Sequence, residues 1–168
     1  MENFTGMSEA ILIDIATWIF GSGSTNSPIA NCTIHFAAYK GYFTFVKKLL
    51  ADGVDSNSKD KSSNTPLILA AEGGHLKIVK LLIENNADLS IVNESKETAL
   101  FAASKSGNSE VVRLFIEKGL NVNCVCTTAR ITPLHVSSYF GHTKGHYYNM
   151  ADIMICNLQS SEIANLKG

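Results

Sequence analysis

The apolar residues of this chain form short clusters at helical spacing, separated by polar residues and glycines. In the middle of the chain, Leu67 and Ala70 belong to one cluster, and Ile78 and Leu82 belong to the next. Apolar residues three and four positions apart predict amphipathic helices that each bury one face. Gly74 lies between the two clusters and suits the left-handed conformation that ends many helices. The pattern therefore predicts a unit of two short helices joined by a tight turn.

The same unit recurs along the chain. Its copies begin at positions 32, 65, 98 and 132, so they are separated by 33, 33 and 34 residues. The second copy opens with Thr65-Pro66, the fourth with Thr132-Pro133 and the third with Thr98, while Cys32 takes this position in the first. Threonine is placed to cap the first helix, and proline fits the first helical position. A fixed period of this length predicts stacked repeats instead of one globular core.

At these residues the sequence resembles the ankyrin repeat family, whose signature is Thr-Pro-Leu-His, a later Gly-His and a Gly-Ala-Asp. The resemblance rests on Thr132-Pro133-Leu134-His135, Gly74-His75 and Ala87-Asp88, with partial matches in the other copies. It implies an all-α repeat solenoid, which is an ankyrin array of stacked helix-turn-helix units with hairpin-like finger loops.

The resemblance also assigns a structural role to the histidine of the Thr-Pro-Leu-His motif. In the family this histidine ties neighbouring repeats together by hydrogen bonds, and His35 and His135 occupy its position here. Ile68 and Phe101 occupy that position in the middle repeats. Because stability in such arrays is a sum of unit and nearest-neighbour terms, their loss of the hydrogen bond predicts a modestly stable array.

The length of 168 residues fits one domain with three parts. We expect residues 1–31 to form a degenerate half-repeat, whose helix caps the first full unit, followed by a linker. Residues 32–144 hold the repeats. Residues 145–168 form a divergent tail, because the repeat frame fails after Lys144. Apolar residues at helical spacing, such as Met150 and Ile153, favour a displaced capping helix over an unrelated tail.

The composition is typical of a folded protein that does not bind nucleic acid. Hydrophobic residues make up 45% and charged residues 17% of the chain, and the formal net charge is −1. The lysines appear scattered along the sequence, with no basic stripe that could neutralise a phosphate backbone. We therefore expect no nucleic-acid partner.

We expect neither a targeting signal nor a membrane span. The apolar run from Ala10 to Phe20 contains Asp14 and is shorter than the ~20 residues that cross a bilayer. No Lys or Arg precedes Lys40, so the basic region of a secretory signal peptide is missing. The cysteines follow no disulfide framework. These features predict a cytoplasmic protein.

The sequence predicts neither catalysis nor a cofactor. It contains no glycine-rich phosphate-binding loop and no Gly-x-Ser-x-Gly nucleophile turn. Most of the histidines occupy repeat positions, and Cys124-Val125-Cys126 lacks the ligand spacing of a zinc site. One alternative stays open, in which His142, His146 and Cys156 together bind a divalent metal.

The resemblance implies a non-catalytic, monomeric scaffold that binds a protein partner through the concave surface of its first helices and through its fingers. Tyr39 and Tyr139 are the strongest anchor candidates, because aromatic residues contribute disproportionately to binding energy. For Phe36, Leu69 and Val136, a purely structural role in the core is the alternative. The full set of candidate partner-binding residues is Phe36, Tyr39, Lys40, Leu69, Glu72, Ala102, Lys105, Val136, Tyr139, Phe140, Lys59, Asp60, Lys61, Asn93, Glu94, Lys96 and Arg130.

A second interpretation concerns the extent of the chain. The divergent segment after Lys144 and the apolar residues Trp18 to Phe20 would also suit a fragment or short isoform of a larger ankyrin-containing protein. In that case an activity of channel, kinase or toxin type would lie outside this chain.

Overall fold

The structure is a computed structural model that describes residues 28–122 and 131–140, together with Ser8 and Ile11. Seven α-helices lie within these ranges. They are α1 (Pro28–Lys40), α2 (Phe43–Ala51), α3 (Pro66–Glu72), α4 (Leu76–Glu84), α5 (Ala99–Ser106), α6 (Ser109–Glu117) and α7 (Pro133–Tyr139). The predicted all-α repeat array is therefore confirmed. The predicted N-terminal cap and the tail after Lys144 lie outside the described residues, apart from Ser8 and Ile11.

The helices form two layers. The first helices of the units, α1, α3, α5 and α7, pack side by side in one row, and the second helices α2, α4 and α6 follow one another in the other row. Within each of the first three units, the first helix packs against the second. The core lies between the rows, and its largest fully buried side chains include Ile34, Phe45, Leu67, Leu82, Leu100 and Phe115.

Three of the first helices begin as the sequence predicts. Thr65, Thr98 and Thr132 have extended backbones, and each hydroxyl accepts a hydrogen bond from the backbone N–H three residues later, over 3.2–3.4 Å. Pro66 and Pro133 occupy the first helical position, where the missing N–H leaves no gap in the helical hydrogen bonding. These caps fix the start of α3, α5 and α7.

The first unit departs from the prediction. Helix α1 begins at Pro28, so Cys32 and Thr33 lie inside this helix and not at its start. A cysteine lacks the hydroxyl that caps the other units, and no proline follows Thr33. Nothing local therefore stops the helix there, and Pro28 suits the first helical position. Residues 28–31, which the sequence assigned to a linker, are helical.

The ends of α1 and α3 are each held by the following repeat. The His75 imidazole donates a hydrogen bond through Nε2 to the backbone oxygen of Tyr39, over 2.8 Å. One repeat later, the Asn108 amide donates to the backbone oxygens of Ala71 and Glu72, over 2.9 and 3.0 Å. The last carbonyl groups of a helix lack partners within that helix, so these side chains satisfy them from outside.

Gly74 shows why a glycine stands at the turn between the two helices of a unit. Its φ is +73°, in the left-handed region that side chains disfavour. A Cβ at this position would also lie 2.5 Å from Oδ1 of Asn108. Gly41, with φ of +82°, stands in the same relation to the His75 ring. The glycine thus meets two requirements, a backbone conformation and a close approach.

In the first unit, the histidine of the Thr-Pro-Leu-His position bonds to the connection at the end of its own unit and not to a neighbouring repeat. His35 is buried, and its Nε2 donates to the backbone oxygen of Ser58, over 2.9 Å. In the middle units, Ile68 and Phe101 are buried at this position. Phe101 instead forms a small apolar cluster with Val136 of the fourth unit.

The connections between units end in hairpin-like turns, here named finger 1 (residues 59–64) and finger 2 (residues 92–97). In finger 1, Asp60 and Asn64 are joined by a backbone hydrogen bond of 3.0 Å, and finger 2 repeats this between Asn93 and Glu97 at 3.1 Å. The backbone N–H of Glu94 also donates to the oxygen of Ser62, over 3.1 Å, so the two fingers are directly connected.

We expect Thr98→Val to lower the free energy of unfolding by about 1 kcal/mol, because valine keeps the shape but removes the capping hydroxyl. Thr98→Ser is the matched control, since it keeps the hydroxyl. Urea denaturation followed by circular dichroism measures both. A serine variant that loses as much stability as the valine variant would contradict the capping role.

A second comparison tests the glycine contact. Gly53 also has a positive φ, +86°, but a Cβ there would meet no atom within 4 Å. We expect Gly53→Ala to lose roughly 1–2 kcal/mol from backbone strain alone. Gly74→Ala should lose roughly 1–3 kcal/mol more, because the Asn108 amide is displaced from its two carbonyl partners. In an Asn108→Ala background the two losses should become similar. Equal losses in the otherwise unaltered chain would refute this explanation.

Candidate functional site

The repeat period brings eight of the residues at the C-terminal ends of the first helices onto one surface. Tyr39, Glu72, Lys105 and Tyr139 hold the same position in the four units, and the residues that follow them hold the next. All are exposed except Glu72, which is partly exposed. We call this the helix-end surface, and it consists of Tyr39, Lys40, Glu72, Gly73, Lys105, Ser106, Tyr139 and Phe140.

The two ends of the helix-end surface are aromatic. Tyr39 is 46% exposed at one end, and at the other Tyr139 is 85% and Phe140 51% exposed. The rings of Tyr139 and Phe140 meet edge to face, with centroids 5.2 Å apart. Lys40 places its Nζ 5.8 Å from the Tyr39 ring centroid and 5.9 Å from that of Phe36, within cation–π range.

Four of the predicted partner-binding residues form the buried layer beneath this surface. Phe36, Leu69, Ala102 and Val136 are each no more than 9% exposed. They correspond to one another in the repeat frame. The structural role considered for Phe36, Leu69 and Val136 fits their burial, and the surface open to a partner is narrower than the sequence suggested.

The middle of the helix-end surface carries opposite charges. The Lys105 Nζ lies 3.4 Å from Oε1 of Glu97, which is the one ion pair within the described residues. The side chains are 43% and 18% exposed, so water weakens this attraction. Glu72, one repeat earlier, forms no ion pair with another described residue.

The remaining described candidates lie in the fingers, and they fall into two groups by exposure. Lys59, Lys61, Glu94 and Lys96 are exposed and available to a partner.

Asp60 and Asn93 are partly buried, and both form the turns themselves. The Asp60 carboxylate accepts hydrogen bonds from the backbone N–H groups of Ser62 and Asn64, over 2.9 and 2.8 Å. The Asn93 side chain accepts from the backbone N–H of Glu97, over 2.9 Å, and donates to Oδ1 of Asn64, also over 2.9 Å. Arg130 lies outside the described residues.

Sequence reasoning missed the residue that matters most for the geometry of this surface. Asn108 takes the histidine position of the Gly-His motif, and it holds the end of α3 as His75 holds the end of α1. The signal was present, because both side chains offer an N–H donor directly after the turn glycine. Exposed apolar residues at Val92 and Ile131 also escaped notice.

The described residues contain little that suggests catalysis. Between residues 28 and 140, with 123–130 excepted, no group of three His, Cys, Asp or Glu side chains could hold a metal ion. Hydrogen bonds from the hydroxyl and backbone N–H of Ser90 hold the pKa of Asp88 below its usual value. Asp55 accepts a similar backbone bond from Asn57 one repeat earlier, so this is a repeated turn feature. The alternative metal ligands His142, His146 and Cys156 lie outside the described residues.

A helix long and apolar enough to cross a membrane does not occur in the part of the chain that the structure describes.

Comparison with known proteins agrees with the architecture. The family model for ankyrin repeats (3 copies) matches residues 34–126 and 88–162, which together cover most of the chain. A search of curated proteins found no match. The family match, the repeat period and the two rows of helices lead to one conclusion: the chain belongs to the ankyrin repeat family.

Proposed function

We propose that this chain is a non-catalytic interaction module, monomeric and cytoplasmic, that binds a protein partner through its helix-end surface and its fingers. Ankyrin repeats are generally protein-interaction modules. The observation that carries the proposal is the exposure of Tyr39 and Tyr139 at corresponding positions of one surface, with Phe140 exposed beside Tyr139. A binding role explains why these large rings lie in solvent while the positions beneath them are buried.

The energetics of these side chains favour a partner that covers them. Tyrosine is enriched among residues that dominate protein interfaces, because it combines a large apolar ring with a polar hydroxyl. Full burial of an aromatic side chain of this size contributes roughly 1.5–3 kcal/mol. Tyr139 is 85% exposed, so nearly all of that contribution is available on binding.

The rest of the surface is already ordered before a partner arrives. The buried residues Phe36, Leu69 and Val136 fix the first helices from below. The hydrogen bonds of His75 and Asn108 fix the ends of α1 and α3. Association therefore loses little conformational entropy on this side, which strengthens binding for a given contact area.

An affinity pull-down from the native lysate tests the proposal. The bait is the full chain, run beside a Tyr39→Ala, Tyr139→Ala variant. We expect a specific protein that the unaltered chain retains and this variant loses. The matched control is Lys47→Ala, Lys80→Ala, which changes exposed residues on the second helices α2 and α4. Both variants must first show the same melting temperature as the unaltered chain.

Equal recovery by the tyrosine variant would contradict the assignment of the helix-end surface. Loss in the lysine control alone would move the site to the second helices. A failure to recover any protein would argue against an interaction module and favour an incomplete fragment.

A further inference from the structure

The helix-end surface has a length, a relief and a charge pattern that select one kind of partner. We infer that it binds an extended peptide segment, anchored by a large apolar residue at each end. This inference rests on the proposed function, because it names the partner class for the same surface.

The length follows from the packing of the first helices. Tyr39 and Tyr139 lie on α1 and α7, which are separated by three helix-to-helix steps in the row. Packed helices are about 8–10 Å apart, so the two aromatic ends are about 25–30 Å apart. An extended chain advances about 3.3 Å per residue and spans this distance with about eight or nine residues.

Small residues occupy two positions between the ends. Gly73 lies in the middle of the surface and has no side chain. Ser106 takes the corresponding position one repeat later, and Ala102 beneath it is buried. No large side chain from these positions blocks a chain that lies across α3 and α5.

The absence of apolar surface in the middle argues for an extended segment over a helix. A bound helix is about 10–12 Å wide and contacts a groove through an apolar stripe repeated every three or four residues. The middle of this surface offers Glu72, Gly73, Lys105 and Ser106, none of which has a large apolar side chain. An extended segment needs apolar contacts only where Tyr39 and Tyr139 stand.

The charges favour particular residue types along the segment. Lys40 lies over the Tyr39 ring, so a carboxylate next to the anchor at this end would meet a cation. Glu72, one helix further along, favours a basic residue about three positions away from that carboxylate. The end at Tyr139 and Phe140 is aromatic, and it favours an uncharged anchor.

Selection from a phage-displayed library of random linear peptides tests this inference. The peptides should be about 16 residues long, which exceeds the expected span. The full chain serves as the immobilised target. We expect enriched peptides to carry two large apolar residues about seven to ten positions apart, with an acidic residue beside one of them.

The enriched peptides are then synthesised and measured by fluorescence polarisation. Tyr39→Ala and Tyr139→Ala should each weaken binding at least about tenfold, as expected for a lost anchor. Lys40→Glu should weaken the peptides that carry the acidic residue, whereas Lys47→Glu on α2 is the control and should change nothing. Each variant is compared with the unaltered chain by thermal denaturation.

Three results would overturn the inference: no enrichment, anchors spaced three or four positions apart, or binding that ignores Tyr39. None of these results contradicts the proposed function, which the pull-down tests separately. A folded protein that depends on Tyr39 and Tyr139 in the lysate, without any selected peptide, would leave the interaction module in place and remove only the extended segment.

Discussion

The arrangement of the array depends on one recurrent hydrogen bond, from the N-cap residue of a second helix to the end of the first helix in the preceding repeat. His75 and Asn108 both stand at the N-cap position of their helices, and neither side chain caps its own helix. Each instead bonds backbone oxygens of the previous first helix. These bonds set the position of α1 relative to the second unit and of α3 relative to the third.

Because units are bonded to their neighbours, the stability of one unit cannot be separated from the stability of the array. A repeat cannot bury its apolar face alone, and it relies on contacts with its neighbours. The contact between units changes character along the row: a hydrogen bond from His75 joins the first two units, whereas Phe101 and Val136 join the third and fourth by apolar packing.

The sequence predicted those features that depend on local chemistry. The threonine caps at positions 65, 98 and 132 and the left-handed Gly74 follow from a few neighbouring residues, and the structure confirms them. The prediction that the first helix of the first unit begins at Cys32 was wrong, because α1 begins at Pro28. A residue that caps a helix is easier to recognise in a sequence than the lack of one. Leu69 and Ala102 were included among the partner-binding candidates although they are buried. Their burial depends on how closely the next helix approaches. That distance is a tertiary property.

The fingers illustrate a different limit of sequence reasoning. Asp60 and Asn93 have the polar side chains of contact residues, yet their oxygens bond backbone N–H groups within their own turns. Whether such a side chain faces a partner or its own turn depends on backbone angles that composition does not specify. The roles of Asn108 and His75, by contrast, could have been read from their shared position after a glycine.

The central claim is that a partner covers the ends of the first helices. Hydrogen–deuterium exchange of the full chain, with and without the protein recovered from the lysate, tests it most directly. We expect slower exchange on binding at the ends of α1, α3, α5 and α7 and in the fingers, with α2, α4 and α6 unchanged. Slower exchange confined to the second helices would contradict it.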